Sequence, residues 1–406
     1  MTYINEKYKD QKVGFEVEVS SLKFEGINLK NKTEVAYLKN RATNTPFLKI
    51  VVEGVNGGDK PYVEIVSEPL NTRDDIETFF KLVNKMISPI CKGKKISLTD
   101  FLGAAGKSYK VDCKKDYELN CVNPSDGYAN ASNLHINLDV PFEKLNMLAN
   151  STLFPGEAHI KYQPLKYAYS LVKENFSGRT GSGTKSDTKP NTKPSKPDAT
   201  KSVSYPKRIN TLLMLFFYQN IVYMSNSLPI ERVELDSGYS YKNYVEPIQR
   251  DASGREMFDV KKLKFDILFK VSKADIIRYV LSDEENKLLS NMNYEKIENV
   301  LKNIINSCAV GEGRYDKKSI CKILKDNAES RKSYGNRYFY DEPRISGLFK
   351  PRKIAGQEEK TPPEYYIVAE LRETNLNDKA KDVFEHGCNF EVKFAYFAKE
   401  FYDFVA

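Results

Sequence analysis

The sequence predicts an α+β fold with a mainly antiparallel sheet. Strand-like alternation of apolar and polar residues dominates the chain before residue 177, whereas helical spacing dominates after residue 204. The predicted strands do not alternate with helices in the regular way that builds a parallel sheet. With 406 residues, 40% of them hydrophobic and 12% aromatic, the chain is long enough for a large core.

Five segments show the two-residue periodicity of a strand. In the first of them, Phe15 and Val17 lie on one face while Glu16 and Glu18 lie on the other. The turn sequence NGGDKP separates the second strand from the third. The predicted strands are Val13–Ser20, Phe47–Val55, Tyr62–Val66, Leu134–Val140 and Glu364–Arg372.

Seven segments have the spacing of apolar residues that is typical of helices. A further segment, 258–273, mixes strand and helix signals. The predicted helices are Asp74–Met86, Phe142–Ala149, His159–Asn175, Lys207–Met224, Lys273–Leu281, Tyr294–Asn306 and Phe384–Phe404.

One low-complexity segment divides the chain. Residues 177–204 are rich in Gly, Ser, Lys and Pro and contain almost no apolar residue to bury. This composition predicts a disordered loop or linker. Residues 1–176 and 205–406 are predicted to be the first and second parts of one domain.

Composition argues against several classes of protein. The net charge of +8 is a small excess among 63 basic and 55 acidic residues, whereas nucleic-acid-binding proteins concentrate their positive charge. The six cysteines lack metal-site spacing, and reduced thiols suit a cytosolic site of action. No apolar run approaches the roughly 18 residues that span a membrane. We therefore expect neither a nucleic-acid partner nor a membrane span, and the oligomeric state stays open.

Two predicted strands carry pairs of acidic residues on one face. Glu16 and Glu18 share a face of the first strand, and Glu64 and Glu68 share a face of the third. On an exposed surface such a pattern is an ordinary amphipathic strand. In a cleft, adjacent carboxylates repel each other unless a cation neutralises them, and Mg²⁺ prefers such hard oxygen ligands.

Two later strands add a histidine and an arginine. His135 and Asn137 share one face of the segment NASNLHIN, where a lone histidine is either a structural residue or a metal ligand. Glu370 and Arg372 share a face of the segment EYYIVAELR. These two residues either pair with each other or provide a metal ligand and a phosphate-binding group.

Taken in order, these segments resemble a known superfamily. An E-x-E strand, an acidic second strand, a strand of the form N-x-S-x-[LM]-H-[VI]-x and a late E-x-R strand occur in this order in the glutamine synthetase and glutamate–cysteine ligase superfamily. The segments NASNLHIN and AELR look like the metal-binding histidine strand and the E-x-R strand of that superfamily. The resemblance covers about a tenth of the chain. It implies a catalytic domain with a curved sheet that is lined with acidic residues and backed by helices.

The resemblance also implies the roles of individual residues. It places two or three divalent cations beside the phosphates of ATP, with Mn²⁺ able to replace Mg²⁺. The metal ligands that it implies are Glu16, Glu18, Glu64, Glu68, His135 and Glu370. The residues that it assigns to catalysis are Glu16, Glu64 and Arg372. The residues that it assigns to the nucleotide are Asn137, which stands where the synthetases often have a second histidine, and Arg337 and Arg344.

The function implied is an ATP- and Mg²⁺-dependent ligase that forms an amide or isopeptide bond between a carboxylate and an amine. Its partners would be a nucleotide and amino-acid or protein substrates. One branch, the actin cross-linking domain of bacterial toxins, joins a protein Glu to a protein Lys, which would make this chain a secreted effector acting on actin in the host cytosol. Two alternatives remain open: a phosphotransferase of the related guanidine-kinase type, and a non-enzymatic binding protein.

Overall fold

A computed structural model describes most of the chain. The described residues are 2–25, 29–30, 32–54, 61–124, 127–149, 164–176, 205–225, 246–250, 256–259, 267–271, 275–307, 350–356, 362–372 and 374–406. The predicted linker, residues 177–204, lies outside these ranges.

Thirteen strands are found in the described part of the chain, and eleven of them form one sheet. They are β1 Val13–Phe24, β2 Glu34–Asn40, β3 Pro46–Glu53, β4 Tyr62–Ser67, β5 Lys95–Ser97, β6 Tyr109–Cys113, β7 Glu118–Cys121, β8 Asn133–Pro141, β9 Glu246–Arg250, β10 Glu256–Asp259, β11 Ile267–Phe269, β12 Arg352–Lys353 and β13 Tyr365–Leu371. Strands β9 and β10 pair with each other as a separate two-stranded sheet.

The main sheet is open and uncurled. Its strand order is β11-β13-β8-β1-β4-β3-β2-β6, with β12, β7 and β5 paired alongside. All pairs of hydrogen-bonded neighbours among the described strands are antiparallel. The α+β class and the mainly antiparallel sheet are thus confirmed, whereas the curvature that the resemblance implies is not found. Strands from 1–176 and from 205–406 contribute to the same sheet, because β13 pairs with β8.

Nine α-helices lie in the described ranges. They are α1 Arg73–Ile87, α2 Leu98–Gly103, α3 Leu145–Leu148, α4 Pro164–Asn175, α5 Lys207–Ser225, α6 Asp283–Ser290, α7 Tyr294–Ser307, α8 Asn375–Asp382 and α9 Phe390–Val405. The short α3 follows a 3₁₀ turn, Phe142–Lys144, and a π-helical turn covers Ile276–Val280 within the predicted helix 273–281.

One face of the sheet is apolar and packs against helices α1 and α9. Phe15 of β1 is fully buried, and its ring lies 5.5 and 5.1 Å from the rings of Phe79 and Phe80 in α1. The rings of Phe397 and Phe401 in α9 lie 6.3 and 6.2 Å from it. Because successive residues of a strand point to opposite faces, burial of Phe15 fixes Glu16 on the other face.

The C-terminal helix begins later than the sequence predicts. The prediction of one helix over 384–404 is wrong at its start, because α9 begins at Phe390 with Asn389 as its N-cap, whose side chain accepts a hydrogen bond from the Val392 amide. A separate helix, α8, precedes it and is capped by Thr374 and Asn377. The Asn377 amide also donates to the carbonyl groups of Leu134 and Leu371, which fixes α8 beside β8 and β13.

Candidate metal centre

The strand register brings the predicted acidic residues and the histidine onto one polar face. Directly opposed residues of antiparallel strands point to the same side of a sheet. Glu16 of β1 lies opposite His135 of β8, and Glu18 lies opposite Glu64 of β4 on its other side. Glu370 of β13 lies opposite the residue two positions after His135 in β8. Four strands therefore contribute to one site.

Three of these residues form a compact group that we call the metal triad: Glu16, His135 and Glu370. The Nδ1 atom of His135 lies 3.2 Å from Glu370 Oε1 and 3.7 Å from Glu16 Oε2. One ligand atom from each residue lies within 4.8 Å of the other two. The Glu370 side chain is 1% exposed and that of His135 is 11% exposed. The triad is therefore an almost dry set of two carboxylates and one imidazole.

The donor set of the triad fits a divalent cation. In octahedral coordination at about 2.1 Å, adjacent ligand atoms lie about 3 Å apart, close to the spacings around Nδ1 of His135. Neither carboxylate oxygen of Glu370 accepts a well-aligned hydrogen bond, although cationic groups lie near both. Buried carboxylates in proteins are usually satisfied by hydrogen bonds or by a metal ion.

Lys270 lies behind the triad, next to the oxygens that do not face His135. Its Nζ is 2.8 Å from Glu370 Oε2 and 3.6 Å from Glu16 Oε1. The side-chain amide of Asn137 donates to the same Glu16 oxygen at 2.8 Å. Each carboxylate of the triad thus has one oxygen next to Lys270 and the other oxygen directed at His135.

Arg372 also contacts the triad. Its Nε lies 2.8 Å from Glu370 Oε1, and its side chain is 21% exposed. The structure therefore shows the Glu370–Arg372 contact that alternation along one strand allows. An anion bound next to the triad could therefore also contact this guanidinium group.

Two opposed influences set the ionisation of Glu16. Burial would raise its pKa, but the hydrogen bond with His135 and the charges of Lys270 and Lys32 outweigh burial and hold the pKa well below the usual value. Glu16 is consequently a carboxylate at neutral pH, which is the form that a metal requires.

Asn133 controls the second nitrogen of the histidine ring. Its amide nitrogen lies 2.9 Å from His135 Nε2, while its amide oxygen accepts from the Leu134 N–H at 3.0 Å. In this arrangement the amide donates to Nε2, which places the imidazole proton on Nδ1 facing Glu370. Cation binding at Nδ1 requires that proton to move to Nε2 and the Asn133 amide to turn its oxygen toward the ring. Asn133 is a positioning residue for the triad.

A second acidic group, which we call the Lys32 cluster, comprises Lys32, Glu53 and Glu64. Lys32 Nζ lies 3.0 and 2.9 Å from the two oxygens of Glu64 and 2.9 Å from Glu53 Oε2. The side chains of Glu53 and Glu64 are 3% and 2% exposed. One ammonium group therefore serves two buried carboxylates.

Ionisation in the Lys32 cluster differs from that in the triad. Burial, together with the neighbouring charges of Glu16 and Glu53, raises the pKa of Glu64 to about 7 despite its contact with Lys32. Burial would lower the pKa of Lys32, but the two carboxylates raise it above its usual value. Burial is thus the main cause of the raised pKa of Glu64, whereas the two neighbouring carboxylates are the cause of the raised pKa of Lys32.

Glu18 lies between the two groups and is held by a tyrosine. The Tyr62 hydroxyl donates to Glu18 Oε2 at 3.2 Å, and burial and Glu18 raise the pKa of that hydroxyl. The Tyr62 ring lies against Gly54, where a Cβ atom would be only 2.2 Å from the ring. Gly54 has a φ of +79°, so this position favours glycine on both counts.

Three predicted site residues are not among these contacts. Strand β4 ends at Ser67, and Glu68, which the sequence predicts as a ligand, lies beyond the strand with its N–H bonded to the Phe47 carbonyl. None of the contacts described for the triad or the Lys32 cluster involves Glu68. Arg337 and Arg344 lie outside the described residues.

Sequence reasoning missed four contributors. Glu53 is the last residue of β3, inside a strand that the sequence predicts, and its face follows from its pairing with Tyr62. Asn133 begins β8, two residues before the histidine, so alternation could have placed it on the same face. The residues for which no pattern gave a signal are Lys32, in a turn, and Lys270, just after the three-residue strand β11.

Comparisons with protein-family models, with curated proteins and with solved structures find no match for this chain. In the part of the chain that the structure describes, no helix has both the length and the apolar character needed to cross a membrane.

Proposed function

We propose that the chain is an ATP- and Mg²⁺-dependent ligase that joins a carboxylate to an amine through an acyl phosphate. The observation that carries the proposal is the metal triad with Lys270 and Arg372 beside it. A buried carboxylate–imidazole site flanked by cationic side chains suits the transfer of a phosphoryl group to a second anion.

The proposal includes a glutamine synthetase-like catalytic fold. Its support is the adjacency of β1, β8 and β13, which carry the E-x-E, histidine and E-x-R motifs, in one antiparallel sheet. Motifs that are more than 100 residues apart in sequence contribute side chains to one site, as the resemblance requires.

Glu16, His135 and Glu370 would hold the cation, as their donor set and burial allow. A cation bound there would screen the phosphates of ATP and the substrate carboxylate from each other. Arg372 provides a planar guanidinium that can bind a phosphoryl group or a carboxylate through two parallel hydrogen bonds. Lys270 and Asn137 hold the remaining oxygens of the triad, so its carboxylates keep their orientation.

The proposed reaction has two steps. In the first, a substrate carboxylate oxygen attacks the γ-phosphorus of ATP, the bond to the bridging oxygen breaks and ADP leaves. In the second, the amine attacks the acyl carbon, phosphate leaves and the amine gives up a proton. Glu64 is our candidate to accept this proton once Lys32 moves off one of its oxygens, because burial raises its pKa to about 7 and a general base works best near the ambient pH.

Hydroxylamine provides a test that needs no knowledge of the natural amine. The chain is incubated with ATP, Mg²⁺, candidate amino-acid carboxylates and hydroxylamine, and ADP and hydroxamate are measured together. Equal amounts of both products support ligation. A stable phosphorylated product without hydroxamate would support a phosphotransferase, and absence of ATP binding by calorimetry would support a non-enzymatic binding protein.

We extend the proposal to protein substrates, with actin as the first to test. Purified actin, ATP and Mg²⁺ are incubated with the chain, and covalent oligomers are sought on a denaturing gel. Mass spectrometry of those oligomers should find a bond between a Glu and a Lys side chain. Ligation of small acids without actin oligomers would contradict the actin extension and the host-cytosol effector role, but would leave the ligase proposal standing.

A further inference from the structure

The ammonium group of Lys32 occupies both oxygens of one buried glutamate. Lys32 Nζ contacts Glu64 Oε1 at 3.0 Å and Oε2 at 2.9 Å, and it also contacts Glu53 at 2.9 Å. Within the Lys32 cluster, Glu64 is thus already bound on both sides by a positive charge. A metal ion could reach Glu64 only by displacing that ammonium group.

Lys270 does not occupy the triad in the same way. It contacts Glu370 Oε2 and Glu16 Oε1, while the atoms nearest His135 Nδ1 are the other oxygens of these two residues. A cation at the triad therefore needs no displacement of Lys270, although it would share Glu370 Oε1 with Arg372, whose Nε lies 2.8 Å from that oxygen. The two lysines differ in which oxygens they take, and only the triad keeps a set of ligand atoms directed at a common point.

Backbone hydrogen bonds hold Lys32 in its position. Its φ is +59°, a left-handed conformation that non-glycine residues adopt rarely and at a cost. The Lys32 N–H donates to the Val52 carbonyl at 2.7 Å, and the Val52 N–H donates to the Thr33 carbonyl at 3.0 Å. Since Val52 precedes Glu53 in β3, these bonds fix the lysine beside the carboxylates that it contacts.

The described part of the site holds more carboxylates than cationic side chains. Five carboxylates and three cationic side chains lie there, and one of the carboxylates, Glu64, is partly protonated at neutral pH because its pKa is about 7. The carboxylates are Glu16, Glu18, Glu53, Glu64 and Glu370, and the cationic residues are Lys32, Lys270 and Arg372. A second divalent ion would leave an excess of positive charge in a buried site, which is costly.

From these observations we infer that the site binds one resident divalent cation, at the metal triad, and that the ammonium group of Lys32 stands in place of a second cation at Glu53 and Glu64. This inference rests on the proposed metal-dependent function. It departs from the two or three cations that the family resemblance implies, and it makes Lys32 the residue that sets the number of metal ions.

The test counts Mn²⁺ ions in the absence of nucleotide. Mn²⁺ is titrated into the full chain and the free ion is measured by electron paramagnetic resonance, with calorimetry as an independent count. The variants are Lys32→Met, which removes the charge but keeps the side-chain length, and Lys32→Arg, which keeps the charge. Lys39→Met is the matched control, because Lys39 also pairs with a carboxylate on this sheet but outside the site. Circular dichroism confirms that each variant is folded.

We expect one Mn²⁺ per chain in the wild type, Lys32→Arg and Lys39→Met, and two in Lys32→Met. Two ions in the wild type, or one ion in a folded Lys32→Met variant, would overturn the role of Lys32 while leaving metal-dependent catalysis intact. No Mn²⁺ bound to the wild type would overturn the inference together with the proposed metal centre. Binding of any Mn²⁺ by the wild type therefore separates the two failures.

Discussion

The metal triad and the Lys32 cluster lie on one face of one sheet, and they compensate buried carboxylates in two different ways. Each buries two carboxylates and each places a lysine beside them. In the triad the lysine binds the outer oxygens and the inner ones face His135, whereas in the cluster the lysine takes both oxygens of Glu64. We propose that the position of the cationic side chain decides whether such a buried acidic pair can bind a metal ion.

The pKa values of Glu16 in the triad and Glu64 in the Lys32 cluster are shifted in opposite directions. The pKa of Glu16 is well below its usual value, because His135, Lys270 and Lys32 outweigh the effect of burial. Burial, with one shared ammonium group as its main compensation, raises the pKa of Glu64 to about 7. One site is therefore anionic at neutral pH, while the other takes up and releases a proton there.

Glu16→Gln should produce the largest effect. The change removes one anionic ligand but keeps an oxygen that can accept from Asn137. Loss of an outer partner of a metal site already costs roughly 10- to 100-fold in metal affinity. We therefore expect Mn²⁺ affinity and ATP turnover to fall by at least about 100-fold, with a melting temperature within about 3 °C of the wild type.

Glu34→Gln is the control for this change. Glu34 also lies on the sheet and pairs with a lysine, Lys49, but it belongs to neither group. It should leave Mn²⁺ affinity unchanged. Equal losses in both variants, or a large loss of stability in Glu16→Gln, would mean that Glu16 is structural and that the triad is not a metal site.

Glu64→Gln should change how stability depends on pH. The pKa of Glu64 is raised from 4.5 to about 7 in the folded chain, so the folded state keeps a proton that the unfolded state has already released. This contribution is fully present below about pH 4.5 and is lost as the pH rises through 7. The fall in unfolding free energy between pH 5 and pH 8 should be about 2 to 3 kcal/mol larger in the wild type than in Glu64→Gln.

Urea unfolding at the two pH values measures this difference directly. Other titrating groups are common to both proteins and cancel in the comparison. The same dependence on pH in both proteins would show that Glu64 ionises normally, and the contrast between the triad and the Lys32 cluster would fail.

Asn133→Leu should have the smallest effect of the three. It removes the amide that contacts His135 Nε2 but leaves all three residues of the triad. Because an outer partner orients the ligand and fixes its tautomer, we expect Mn²⁺ affinity to fall by about 10-fold. Asn120→Ala is the control, since Asn120 bonds to Glu25 on the same sheet and away from the triad. Equal affinities in wild type and Asn133→Leu would remove Asn133 from the site.

Much of the fold could be predicted from periodicity. Alternation placed Glu16, Glu64, His135 and Glu370 on strands and on the polar face of each strand. Because the apolar residues of β1 face the core, the polar residues between them must point to the opposite face of the sheet. The structure confirms the mainly antiparallel sheet, and the bounds of the five predicted strands lie within two residues of the observed ones except at the end of β1.

The strand order and the cationic residues could not be read from the sequence. The triad exists because β8 lies between β1 and β13, and alternation within a strand says nothing about its neighbours. Lys32 and Lys270 reach the site from a turn and from the end of a short strand, with long side chains that follow no periodic pattern. Glu68 shows the opposite error, since the predicted acidic face continues one residue past the end of β4 at Ser67.

The most direct test of the metal triad is pulsed electron paramagnetic resonance of Mn²⁺ bound to the chain with ¹⁵N-labelled histidine. The chain has only three histidines, so each can be replaced in turn. Our account predicts coupling of Mn²⁺ to one histidine nitrogen, which is lost in His135→Gln and kept when His159 or His386 is replaced. Tightly bound Mn²⁺ without nitrogen coupling, or coupling that survives in His135→Gln, would contradict the assignment of Glu16, His135 and Glu370 as a metal centre.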